Sequence, residues 1–210
     1  MLEKYLSVAG ETQTEKIIEK SRFITISRHV ASEEEAKEFI AKISKKYSDA
    51  THNCYAYISD KLCNFLRFSD DGEPQGTAGM PILEVIKSKQ LAETAVVVTR
   101  YFGGIKLGAG GLLRAYSGCA AENLEAAQKV LYETCSELKI TVDYSLVDSA
   151  LRYFNEMEAD LLNTEYLNEV IFTVAVKKAE EGEFVSALVN RLNGKLKTEK
   201  LKEYFFPFKI

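Results

Sequence analysis

The chain contains no tryptophan and only two histidines, His29 and His52. So few imidazoles give poor support for a zinc site and leave little general acid–base capacity near neutral pH. Cysteine is sparse too, and Cys54, Cys63, Cys119 and Cys135 show no C-x-x-C spacing. No export signal opens the chain, so these four are expected as reduced thiols rather than a disulfide framework. The amino-terminal stretch has no apolar run preceded by basic residues, and no uncharged segment is long enough to span a bilayer. A cytoplasmic protein without a membrane partner is the expectation. A strong charge of either sign is missing as well: 27 basic and 31 acidic residues leave a net charge of −4. Coating nucleic acid through bulk positive potential is thereby excluded, and any such binding must be local. With three prolines, no low-complexity tract, 46% hydrophobic and 28% charged residues, the composition describes a globular chain. Its 210 residues suit one large domain or two modest ones.

What the chain does have is glycine concentrated in one place. Five of its twelve glycines, Gly103, Gly104, Gly108, Gly110 and Gly111, fall within the run VVVTRYFGGIKLGAGGLLRAY from Val96 to Tyr116. Val96, Val97, Val98 and Thr99 are β-branched and read as a buried strand, while residues 109–130 keep helical spacing of apolar positions. The glycines therefore make the strand-to-helix turn. Glycine lets a ligand approach bare backbone, and the first turn of the following helix points unpaired N–H groups the same way, an arrangement that holds anions. Arg100, Lys106 and Arg114 surround the turn with positive charge. The order of a Walker loop is missing, since Lys106 is followed by Leu107, and there is no clean G-x-G-x-x-G. A tight turn with close helix packing explains the glycines without any ligand. The charge around the turn tilts the reading towards anion binding.

A pass along the chain predicts a strand region around Glu15 to Val30. Ser32 then caps a helix, forming an S-x-x-E capping box with Glu35, and Ala36, Phe39, Ile40, Ile43 and Tyr47 fall on one stripe. A strand from His52 to Ile58 follows, then a polar, turn-rich segment from Phe68 to Gly79 and a short helix over residues 81–87 with Pro81 in its first turn. The valine strand, the glycine turn and a long helix complete the first half. A boundary is expected between Tyr132 and Glu137, giving domains at 1–134 and 135–210. In the second, Leu138, Ile140, Val142 and Tyr144 alternate as a half-buried strand, and Ser145 or Asp148 is available to cap a helix running through Met157. Two strands then flank Leu167 to Glu169. A helix from about Glu181 to Leu192 stops at Asn193 and Gly194, and a strand region ends the chain. That order is βαββαβ, the ferredoxin-like arrangement.

Other constellations carry weaker chemistry. His52 and Cys54 lie two apart on a strand, about 7 Å between Cα atoms, which suits an ion-paired nucleophile only loosely. The pattern favours a half-buried histidine beside a packed thiol. Asp70, Asp71 and Glu73 place three carboxylates in one loop, able to hold magnesium together with a phosphate. Asp70 or Asp71 capping turn amides and pairing with Arg100 or Arg67 is the preferred reading. Tyr55, Tyr57, Tyr101, Phe102 and Tyr116 cluster near the basic positions, and aromatic rings beside cations stack bases. Alternation sends Tyr101 and Phe102 to opposite faces, so at most one of them lines a surface site. Lys195, Lys197, Lys200 and Lys202 read as a solvated edge protected against aggregation.

Four motifs together carry a resemblance along essentially the whole chain. They are EKSRFI (Glu19 to Ile24), ATHNCYAY (Ala50 to Tyr57), SDDGEPQGTAG (Ser69 to Gly79) and VVVTRYFGGIKLGAGGLLRAYS (Val96 to Ser117). With these motifs the sequence resembles the IMPACT/YigZ family of two-domain proteins. The resemblance implies an α+β chain. Its first domain is then an α/β sandwich like the second domain of a small-subunit ribosomal protein, and its second a ferredoxin-like module similar to those of elongation factor G. Eukaryotic members are similar to regulators of translation initiation that act by protein contact, and they carry an extra amino-terminal domain. This chain starts directly with the shared domain, as expected of a bacterial form.

The leading expectation is a non-enzymatic binding protein for a phosphate-bearing ligand, RNA or the ribosome, with a role in regulating translation. The glycine turn with Arg100, Lys106 and Arg114 then contacts phosphates and needs no cofactor. Two alternatives stay open. One is a magnesium-dependent enzyme acting on a phosphorylated small molecule or nucleotide, with Asp70, Asp71 and Glu73 on the metal and His52 as base. The other is a protein-interaction scaffold in which these residues only stabilise the first domain.

Overall fold

The computed structural model describes residues 3–209, and these fold as two compact units, the first running through Leu131 and the second spanning Tyr132–Phe208. In chain order the first contains β1 (Lys4–Val8), β2 (Glu11–Ile18), β3 (Ser21–His29), α1 (Glu33–Lys46), β4 (His52–Ile58), β5 (Leu66–Ser69), α2 (Gly79–Ser88), β6 (Thr94–Tyr101) and α3 (Gly108–Ala126). Strands β2-β3-β6-β4-β5 lie side by side in that order, each neighbouring pair antiparallel. The central strand β6 is buried on both faces, which is why its sequence is a run of valines rather than an alternation.

Helices cover both faces. On one, Ala36, Phe39 and Ile43 of α1 pack on Ile24, Ile26, Ala95 and Val97. On the other, Ile82 and Ile86 of α2 with Leu112, Tyr116 and Leu124 of α3 pack on Phe23, Cys54, Ala56, Val96 and Val98. Burying a side chain such as Phe39 or Ile82 contributes roughly 1.5–3 kcal/mol each, so these two layers drive the fold. The α1 cap forms as the sequence predicts: Ser32 Oγ accepts the Glu35 N–H at 3.1 Å. Glu35 Oε2 reaches back to the Ala31 N–H at 2.8 Å, one residue before the cap itself.

Three readings of this unit need correction. The strand region at Glu15 to Val30 is a hairpin, β2 turning into β3 at Glu19 and Lys20, both with positive φ. Neither residue is Gly or Asn, so the turn carries none of the usual hairpin signal. β5 pairs with β4 and had no sequence signal beyond a short mixed run. The long helix ends at Ala126 rather than Val130, because Ala127 turns extended and Lys129 begins a fourteen-residue strand, β7 (Lys129–Val142).

After β7 come α4 (Val147–Glu156), β8 (Asp160–Tyr166), β9 (Val170–Lys177), α5 (Glu181–Arg191) and β10 (Leu196–Lys209). The order β10-β7-β9-β8 is that of a ferredoxin-like sheet. Leu138, Ile140 and Val142 face Phe154, Phe172, Val174, Phe184 and Leu188 in one core. Tyr144 leaves the alternating pattern: it opens a short 3-10 turn, is exposed, and donates its hydroxyl to the Leu167 carbonyl at 2.7 Å. Neither Ser145 nor Asp148 caps α4, whose N-cap is Leu146 without a side-chain bond. At the end of α5, Asn193 and Gly194 take positive φ and the Gly194 N–H returns to the Val189 carbonyl at 2.8 Å. On β10, Lys197, Lys200 and Lys202 pair with Glu169, Glu181 and Glu137. The chain is thus a two-domain α+β protein. Among the described residues no helix is long and apolar enough to cross a membrane.

Candidate functional site

Strand register assembles the site. His52 on β4 stands directly opposite Arg100 on β6, so residues far apart in sequence meet at one end of the sheet. Arg100 turns inward. Its Nη1 donates to Glu73 Oε1 at 2.7 Å and its Nη2 to Ser21 Oγ at 3.2 Å, with the guanidinium carbon 5.5 Å from the Phe23 ring centre and 5.4 Å from that of Phe102. Tyr116, reaching over from α3, donates its hydroxyl to the same Glu73 oxygen at 2.7 Å. His52 Nδ1 lies 2.7 Å from the Asp71 carbonyl, which only accepts, so Nδ1 carries the proton of that bond.

The loop that delivers Glu73 is pinned by Asp70. Its Oδ1 accepts the N–H groups of Ala78 and Gly79, its Oδ2 that of Gly76, and together they fix the start of α2. Asp71 Oδ2 accepts the Asn53 N–H. The two aspartates are therefore committed to backbone amides. Glu73, not either aspartate, pairs with Arg100, and among the described residues no three His, Cys, Asp or Glu side chains group in the manner of a metal site. Cys54 is fully buried and its thiol donates to the Asp70 carbonyl at 3.0 Å. Burial pushes its pKa up to about 12, so it is a neutral, packed thiol and not an ion-paired nucleophile.

A cleft of about 430 Å3 opens at these groups, lined by Thr51, His52, Glu73, Pro74, Arg100 and Phe102. Lys106, Leu107, Gly108, Ala109 and Leu112 complete the lining. The N-cap of α3 is Leu107, which provides no side-chain bond, so the first amides of this nineteen-residue helix border the cleft without a cap. Gly108 begins the helix at φ +68°, a conformation that costs glycine little. Lys106 is exposed and makes no ion pair with a described residue.

The two constellations separated in the sequence reading thus fall in one place. Arg100, Lys106 and Gly108 share the cleft with His52 and Glu73. Asp70 and Asp71 are not part of its lining. Gly110 and Gly111 lie in the first turn of α3 without lining the cleft, and Arg114 is exposed on the same helix, close to Gly110. Gly103 serves packing: a Cβ there would run into the Lys20 carbonyl. Gly104 sits at φ +86° in open space. Phe102 lines the cleft while Tyr101 packs towards α1 and donates to Asp49 Oδ1, as alternation predicts. Tyr55, Tyr57 and Tyr116 belong to the packed layers. Thr51, Pro74, Leu107, Ala109 and Leu112 carried no sequence signal, because only the folded register brings them together.

Comparison with known proteins agrees with this architecture. Residues 19–124 match the Impact N-terminal domain, and residues 140–195 match a domain of unknown function. The chain is 41% identical over 195 residues to the IMPACT family member YvyE of Bacillus subtilis (strain 168), covering 93% of this chain and 90% of that protein. It is 32% identical over 204 residues to the IMPACT family member YigZ of Escherichia coli (strain K12), covering 96% and 100%. A crystal structure described as that of a hypothetical protein superposes with a TM-score of 0.63 at 31% identity, covering 96% of this chain and 99% of that one.

Proposed function

Because this chain belongs to the IMPACT family, we propose that its first domain is a binding module for a phosphate-bearing ligand, RNA either free or within the ribosome, acting in the regulation of translation. One observation carries the reading: the uncapped first turn of α3 borders a cleft beside Lys106, a cation with no carboxylate partner among the described residues. Unpaired amides, the positive end of a helix dipole and a free ammonium together favour a phosphate oxygen. Binding is local, as the net charge of −4 requires. Phe102 adds an aromatic wall against which a base or sugar can lie. The translation role is supported by the resemblance to eukaryotic family members that regulate initiation, and a protein partner in that control is compatible with the same surface.

The test is direct titration of fluorescently labelled single-stranded RNA with the full chain at low salt. Binding that weakens steeply as salt rises supports the reading. Absence of measurable affinity at low salt overturns it.

A further inference from the structure

Glu73 presents to the cleft an acceptor that has no donor among the described residues. Glu73 is almost fully buried, with a side chain 3% exposed, and its two oxygens are used unequally. Oε1 accepts from both Arg100 Nη1 and the Tyr116 hydroxyl, whereas Oε2 accepts no hydrogen bond from any described residue. It faces His52 Nε2 at 3.8 Å, beyond hydrogen-bond reach. The imidazole is held in that orientation by the bond from Nδ1 to the Asp71 carbonyl. A carboxylate whose free oxygen opens on a cleft calls for a donor from whatever fills the cleft, because leaving that oxygen unpaired once the ligand has displaced water is costly.

The same cleft carries the α3 amides and Lys106, so an anion site and a donor-seeking site share a volume of about 430 Å3, within the range of small-ligand pockets. Resting on the phosphate-binding reading above, we propose that His52 and Glu73 read the ribose 2′-hydroxyl of the nucleotide held at α3, and so select RNA over DNA. The 2′-hydroxyl is the group that RNA has and DNA lacks, it sits next to the 3′-phosphate, and it both donates and accepts. It donates its one proton between Glu73 Oε2 and His52 Nε2, two acceptors 3.8 Å apart that a single hydroxyl can approach together. Deoxyribose brings only C–H to this place and leaves the carboxylate oxygen dry and unpaired. Discrimination by a missing hydroxyl is strong where the site is built to hydrogen-bond it.

The experiment compares oligouridylate with oligodeoxyuridylate of equal length against the full chain. These ligands differ only at the 2′ position, and uracil has no exocyclic amine to act as the donor. The ribo form is expected to bind about tenfold tighter. His52→Ala removes most of that preference by weakening the ribo form and leaves the deoxy form as it was, whereas Lys106→Ala weakens both alike. Because Glu73 is part of a buried ion pair, Glu73→Gln is read only alongside a melting curve, and His52→Ala is the deciding variant. Equal affinity for the two ligands, with both still dependent on Lys106, overturns the proposal and leaves the phosphate reading standing. Failure of either to bind removes the phosphate reading and this proposal with it. If oligodeoxycytidylate binds as well as oligocytidylate and both bind better than oligouridylate, the donor is a base amine and the 2′-hydroxyl assignment is overturned.

Discussion

Arg100 Nη1 and Glu73 Oε1 meet at 2.7 Å inside the first unit, with side chains only 5% and 3% exposed. The pair is supported on several sides, by Tyr116 on the carboxylate and by Ser21, Phe23 and Phe102 around the guanidinium, yet the Arg100 Nε–H is buried without an acceptor. Arg100 is therefore both a wall of the cleft and a strut of the core. Removing one partner leaves the other charge buried and uncompensated, which costs about 3–5 kcal/mol. Arg100→Ala and Glu73→Ala are each expected to lose that much in urea unfolding, and the double variant Arg100→Met with Glu73→Leu clearly less than the sum. Additive losses would show that the two charges are not coupled.

The glycine turn separates packing from conformation. A Cβ on Gly103 would clash with the Lys20 carbonyl and stand 2.6 Å from the Ser21 nitrogen, so the β6–α3 turn would have to move away from the β2–β3 hairpin. Gly104 meets nothing within 4 Å but holds φ at +86°. Gly103→Ala is expected to cost about 2–3 kcal/mol through overpacking, and Gly104→Ala about 1–2 kcal/mol through the left-handed backbone alone. Thermal melts of the two variants rank them, and a Gly104 variant less stable than the Gly103 one contradicts the assignment.

These positions also show where the sequence is readable and where it is not. The βαββαβ order of the second unit follows from local periodicity, because each core face, such as Leu138, Ile140 and Val142, announces itself by alternation. The α1 cap is legible for the same reason, since Ser32 and Glu35 act over a single turn. The hairpin at Glu19 and Lys20 is hidden because its positive φ angles fall on residues with no turn preference. The cleft is only half legible. Arg100, Lys106 and the glycines stand out in the chain, but their meeting with His52 and Glu73 depends on the β4–β6 register, a non-local pairing that no window of sequence contains. The sequence offers Arg100 a carboxylate from one loop, Asp70 or Asp71, but only the folded loop shows that the partner is Glu73.

Alkaline stability follows from the buried thiols. Burial pushes Cys54 up to about 12 and Cys119 up to about 11, and Tyr116 also moves upward from its ordinary value for the same reason. An unfolded chain releases thiol protons near pH 8.5, so between roughly pH 9 and 11 the folded state holds more protons than the unfolded one. Stability from these groups is whole below about pH 8.5 and declines as pH rises from there towards the folded values of about 11 and 12. Urea midpoints measured from pH 8 to 11 should fall, and Cys54→Ala should flatten the fall while lowering stability at pH 8 through the cavity it leaves. At pH 8 a thiol reagent should label Cys63, which is exposed, and reach Cys54 only after unfolding.

Lys106 and Arg114 distinguish a phosphate contact from nearby charge. Lys106 lines the cleft beside the first amides of α3, whereas Arg114 lies further along that helix and outside the lining. A direct contact releases counterions from the nucleic acid, so Lys106→Ala should reduce the slope of log K against log salt by close to one unit and weaken RNA binding across sequences. Arg114→Ala should lower affinity only modestly at low salt, through a field that screening removes within about 10 Å at 0.1 M, and leave the slope nearly unchanged. Neither side chain has an ion-pair partner among the described residues, so both variants should melt like the parent. Anisotropy titrations at four or more salt concentrations resolve the slopes. Equal slope losses for the two variants would place the phosphate further along α3 than its first turn, and an unchanged slope for Lys106→Ala would remove that ammonium from the contact altogether.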